Sequence, residues 1–461
     1  MLSESQVAMA VLEPRYTRDA MARAVAELFA VWGLDPAGRG SESWNPLGEW
    51  IRPGARVDIK PNWVLHQNEH PTGGMDCLIT NRALIAAVLA YVLRARPARV
   101  TIGDAPLQAC QFDKLRAYCE LDRLAELGPG IVEIADFRRT LLARNGHAAH
   151  RREGVRGEEN FVLFDLGADS LIEELPQAEG SLRVTMYNPD LLARTHAPGT
   201  HRYLIAREII DSDVVINMPK LKSHMKAGVT GALKNLIGIN GNKEFLPHHR
   251  KGGSRQGGDC YEGYSFWQHC AENLYDAANR GGNGFAQTAL YWSAAQSLRA
   301  ARVFGHEGMV EGAWHGNQTV WRTCLDLNRV LRYGRPDGTL ADQPVRRTIH
   351  ITDAIIGGQG EGPLRAEPVE SGFLTGALNP AAAEWVNTLA MGWDPLKIPV
   401  VREAFGRFRW PLTEFSADEI EVLTAGGARP AASITPPRGA PFRPSKGWMG
   451  HVEAEASRAA R

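Results

Sequence analysis

The sequence predicts an α/β fold, a mainly parallel sheet flanked by helices in Rossmann-like layers. It adds a helical Trp-rich insertion and some antiparallel extension. Two observations carry this prediction. Short β-branched segments, RVDIK (56–60), RVTIG (99–103), IVEIA (131–135) and VVIN (214–217), read as buried strands. Between the first three lie helix-period stretches at 81–96 and 112–127, and strand–helix–strand order predicts βαβ units. A composition of 44% apolar and 23% charged residues over 461 residues supplies an ordinary globular core.

Ahead of the first strand, Met21, Val25, Leu28, Phe29 and Trp32 recur at helical spacing, so residues 1–54 read as a helical lead-in. Residues 55–250 and 340–425 make the α/β core. Within it, 161–164, 183–187 and 203–206 are short strands, and Val229–Ile237 reads as a helix capped by Gly238. Residues 251–339 form the insertion: a glycine-rich segment, KGGSRQGGDCYEG, expected to be a mobile lid, then helices over 264–302 and 319–332. Thr348–Thr352 is a strand, 379–391 a helix, 419–423 a late strand, and the Pro/Ala/Arg-rich 426–461 an extended or disordered tail.

Charge narrows the function classes. Lys plus Arg and Asp plus Glu are both 52, which argues against nucleic-acid coating and against an acidic disordered chain. The start lacks a basic segment followed by an apolar core. The longest apolar run, Ala83–Leu93, is far short of the ~20 residues that span a bilayer. None of the six cysteines forms a C-x-x-C pair, which disfavours an iron–sulfur cluster and suits a reduced, cytoplasmic protein without a membrane partner.

The most informative stretch is Val214–Lys243. It holds Lys220, Lys222, Lys226, Lys234, Lys243 and His224 but no Asp or Glu, where the chain average gives about three. A strand, a basic loop and a helix start form the layout that binds anions at the carboxyl ends of parallel strands. Gly228 and Gly231 allow close approach, and Thr230, Lys234 and Asn235 join the candidate ligands. Lys60 and Asn62, at the end of the first strand, share that rim. Asp104 and Asp353 also follow strands, and Glu361 lies in the glycine loop 357–363. These three acids are candidates for a Mg²⁺ or other divalent-cation site, for acid–base work, or for pairing with the lysines. Among basic neighbours His224 is expected to be neutral, a candidate proton carrier alongside Asp104 and Asp353.

VDIKPNWV (57–64), VTIGDAP (100–106), VVINMPKLKSHMKAGVTGALKNLIGI (214–239), ITDAIIGGQGEGP (351–363) and AAAEWVNTLAMGWDP (381–395) resemble the domain of unknown function 362 family. The resemblance spans roughly 55–400 and implies an α/β domain with these motifs gathered at one site. It implies no reaction. Some relatives carry a ferredoxin-like cluster domain, but its cysteine runs are absent here. The Trp-rich 264–332 looks like an elaboration of this branch. The residues leave three readings open: an enzyme acting on an anionic carboxylate or phosphate, a scaffold for an acidic partner, and a metal-dependent redox protein.

Overall fold

The four apolar segments read as strands lie side by side in one large sheet. The computed structural model describes residues 3–145, 148–154, 156–176, 180–281, 284–306 and 308–454. Its main sheet has twelve strands: β1 (Gln6–Val11), β2 (Arg56–Pro61), β3 (Arg99–Asp104), β4 (Val132–Asp136), β5 (Val214–Met218), β6 (Lys220–His224), β7 (Gly228–Thr230), β8 (Arg347–Glu361), β9 (Arg365–Val369), β10 (Phe373–Ala377), β11 (Glu421–Thr424) and β12 (Gly427–Pro430). The order is β12-β11-β1-β10-β8-β5-β2-β3-β4, with β6 and β9 pairing the far half of β8 and β7 pairing β6. Strands β4, β3, β2, β5 and β8 are mutually parallel, as the βαβ reading requires, while β10 runs antiparallel to β8 and β1.

Helices cover both faces. On one side lie α1 (Arg18–Val31) and α2 (Arg82–Arg94). Thr17 and Asn81 cap them by accepting the Ala20 and Ala83 N–H groups. Val25, Leu28 and Val88 pack there against Ile59, Ile102 and Ile216. The insertion supplies α3 (Phe266–Arg280), α4 (Phe285–Val303) and α5 (Val320–Tyr333). On the second face α5 and α6 (Pro380–Ala390) bury Cys324, Leu325 and Val386 with Leu221, Val229 and Leu233.

Five segments differ from the sequence reading; at 183–187 only Arg183 is strand, as part of Leu182–Arg183. The lead-in is not only helical, because Val7–Ala10 is a buried apolar run and β1 pairs between β10 and β11. Residues 426–454 are folded: Phe442, Trp448 and Val452 are buried in the second core, so three large apolar anchors outweigh a Pro/Ala/Arg-rich composition. The remaining tail residues lie outside the described ones. The expected lid is fastened down. Gly252 donates its N–H to Glu272 (2.8 Å), Lys251 Nζ meets Asp276 (2.6 Å), and buried Asp259 accepts from Thr319 (2.7 Å). Finally, Val229–Ile237 is not an α-helix. Gly228 has φ +82°, strand β7 turns back on β6, and only Lys234–Ile239 coils, as a 3₁₀ segment.

Candidate functional site

The basic stretch is a strand. Lys220, Lys222 and His224 alternate with Leu221 and Ser223, so the three basic side chains share one face of β6. Beyond Pro219, β6 extends the line of β5 and stays parallel to β8, with Lys220 opposite Asp353 and Lys222 opposite Gly358. A Cβ on Gly358 would sit 2.8 Å from the Lys222 Cβ, so glycine permits this approach. The glycine loop is therefore mostly strand, paired with β9, and Glu361 accepts the Lys446 N–H (2.8 Å).

Two lysines are closed by aspartates. Lys60 Nζ donates to Asp104 Oδ1 (2.7 Å), the Pro61 carbonyl (2.8 Å) and Asn235 Oδ1 (3.1 Å). Asp104 Oδ2 also accepts the Trp63 N–H (2.6 Å). Burial pushes the Lys60 pKa down and the Asp104 pKa up, and their contact opposes both shifts. Gly238, read from the sequence as a helix cap, has another role: a Cβ there would lie 2.0 Å from Asp104 Oδ1. Lys220 Nζ lies 2.7 Å from Asp353 Oδ2 and 2.7 Å from the Tyr16 hydroxyl, which donates to Asp353 Oδ1 (2.6 Å). Burial first, then Asp353, raises the Tyr16 pKa and keeps that phenol protonated.

Lys222 and Lys234 have no such closure. Lys222 Nζ, fully buried, donates to Asn62 Oδ1 (2.7 Å) and to the Leu78 carbonyl, both uncharged. Burial, then the Lys220 charge, drives its pKa well below the ordinary lysine value. The half-buried Lys234 ammonium makes no hydrogen bond or ion pair with the described residues. Its pKa is lowered by burial, with Lys60 and Lys226 adding to the shift. Thr230, directly opposite Lys222 across the β6–β7 ladder, is buried with no partner for its hydroxyl among the described residues.

Asn62 and Asn235 tie the lysines together. Asn235 Oδ1 accepts from Lys60 and from Asn62 Nδ2 (2.9 Å), and its Nδ2 donates to Asn217 Oδ1 (2.7 Å). His224 is buried and held neutral, by burial first and then by Lys234, Lys226 and Lys222. Its Nδ1 accepts the Lys226 and Ala227 N–H groups (3.0 and 3.1 Å), which leaves the proton on Nε2. His224 is thus set up as a hydrogen-bond donor through Nε2.

The structure brings Lys60, Asn62, Lys222, Asn235 and Asp104 into one hydrogen-bonded group, with Lys234, His224 and Thr230 around it. Lys220 and Asp353 form a neighbouring closed pair. Asp104, Asp353 and Glu361 do not come together: among the described residues no group of three His, Cys, Asp or Glu is placed to hold a metal ion. Each of the three already receives protein donors, so a divalent cation has no carboxylate set here.

Sequence reasoning missed Tyr16 and Glu384. Glu384 Oε2 accepts the Leu233 N–H (2.7 Å), so an internal carboxyl group already occupies the expected helix-start anion site. Gly231 makes room for it, since a Cβ there would meet Glu384 Oε1 at 1.9 Å. Burial pushes the Glu384 pKa up to about 8, and Oε1 has no partner among the described residues. A single acid within the Ala-rich run AAAEWVN was the available signal.

Fold and site together define an α/β protein whose sheet rim gathers buried lysines, only some of them neutralised by aspartates. The sequence model of the family described as "Domain of unknown function (DUF362)" matches residues 162–388, which supports assignment of the chain to that family. No curated protein matches the chain. A crystal structure of a Thermotoga maritima protein aligns with 81% of this chain at 9% identity and a TM-score of 0.35. The alignment covers 59% of that protein's own length. Among the described residues, no helix is long and apolar enough to cross a membrane.

Proposed function

We propose that this protein is an enzyme that binds a small anionic molecule, through a carboxylate or phosphate group, at Lys222 and Lys234. Lys222, Lys234, the Nε2–H of His224 and the Thr230 hydroxyl donate to the anion. Lys60–Asp104 and Lys220–Asp353 hold the surrounding strands in place. The supporting observation is that fully buried Lys222 and half-buried Lys234 lie within electrostatic reach of each other, without a carboxylate partner among the described residues. Taking a charge out of water costs several kcal/mol, so an unoffset pair of cations suits a site that an anion fills. The recessed position of Lys222 favours a small molecule over the surface of an acidic protein.

Calorimetric titration with inorganic phosphate tests the reading. Binding to the wild-type protein that weakens at least about tenfold in Lys234→Ala and Lys222→Met, with both variants folded by circular dichroism, is the expected result. Unchanged affinity in both variants would refute it.

A further inference from the structure

A second feature lies beside the lysines, at the seam between the core and the insertion. A cavity of about 280 Å³ is walled on the core side by Arg183–Tyr187 and His249, and on the other by α3, α4 and residues 308–311. Its wall is joined to the basic cluster: Lys226 Nζ donates to the lining Thr185 hydroxyl (2.6 Å) and lies 3.5 Å from the lining Glu311.

The lining chemistry limits what fits. Asp276 is held by Arg183 (2.9 Å) and Lys251 (2.6 Å), and Glu272 accepts from the Gly252 N–H (2.8 Å) and the Tyr261 hydroxyl (3.3 Å). With Glu311 facing Lys226, each carboxylate of the wall has a protein partner, so the cavity is not built for a cationic group. Tyr275, Leu298, Met309 and Val310 provide ring and aliphatic surface. The volume is at the small end of the ~300–1,000 Å³ range of ligand pockets, too little for a dinucleotide.

We propose that this cavity receives the flat, uncharged body of the anion held at the lysines, so that the ligand is a small aromatic or similarly apolar organic acid. This inference rests on the anion-site reading, and its test separates the two. The wild-type protein is titrated calorimetrically with inorganic phosphate and with phenyl phosphate, and both titrations are repeated on Leu298→Trp, which fills the cavity from α4. If that variant does not fold, Val310→Phe replaces it. The expected result is phenyl phosphate binding at least about tenfold tighter than phosphate to the wild type, with that advantage abolished in the filled variant while phosphate affinity is kept. Equal affinities in the wild type, or an advantage that survives filling, would overturn the cavity assignment and leave the anion site standing. Binding of neither probe would overturn both.

Discussion

Replacing Lys60 by methionine should destabilise the protein by about 3–5 kcal/mol, whereas Lys222→Met should change stability by no more than about 2 kcal/mol. Both ammonium groups are fully buried, so exposure does not separate them. Their partners do. Removing Lys60 strands the Asp104 carboxylate, which keeps the Trp63 N–H as its hydrogen-bond donor, inside a core where an uncompensated charge is expensive. Removing Lys222 strands no charge. It forfeits two hydrogen bonds to neutral acceptors, about 1–3 kcal/mol each, and relieves the desolvation of an unpaired ammonium, several kcal/mol in the opposite direction. Urea unfolding of the two variants, with unchanged m-values, gives the comparison. A Lys222→Met loss as large as that of Lys60→Met would make Lys222 a structural residue and refute the division. A Lys60→Met loss under about 1 kcal/mol would show that its ion pair does not hold the strands.

Two further expectations concern protons. The Glu384 pKa is raised from 4.5 to about 8, so between those values the folded chain holds a proton that the unfolded chain releases. Its stabilising contribution is full below the unfolded value and is lost as pH rises through about 8. Between about pH 5 and 8.5 the wild type should lose about 2–4 kcal/mol relative to Glu384→Gln, measured by urea midpoints; parallel pH profiles would contradict this. A bound anion raises the pKa values that burial lowers at Lys222 and Lys234. Sulfate binding should therefore take up protons and weaken as pH rises towards the ordinary lysine value. Titrations in buffers of different ionisation enthalpy would show this, and heats independent of buffer would oppose it.

What the sequence revealed depended on where the deciding contacts lie. The parallel strands were legible because VDIK, VTIG, VEIA and VVIN each repeat Val-x-Ile, which puts two β-branched residues on one face of a strand. Lys60 and Asp104 were legible as strand-end residues on one rim. Their mutual closure was not, because it depends on the separation of neighbouring strands. The β6 strand was missed because its inward face is basic: a scan for apolar periodicity takes Lys220, Lys222 and His224 for a loop, although their period of two was visible. The expected helix at 229–237 failed at Gly228 and Gly231, which serve a turn and the approach of Glu384. Tyr16 was out of reach because it meets Lys220 and Asp353 only through the tertiary fold.

A crystal structure of the protein grown with inorganic phosphate examines the core of this account most directly. Phosphate should lie within hydrogen-bonding distance of Lys234 Nζ and the Nε2–H of His224, with the Lys60–Asp104 and Lys220–Asp353 pairs intact. Phosphate bound only at other places, or a Lys234 ammonium directed away into solvent with the anion absent, would contradict it.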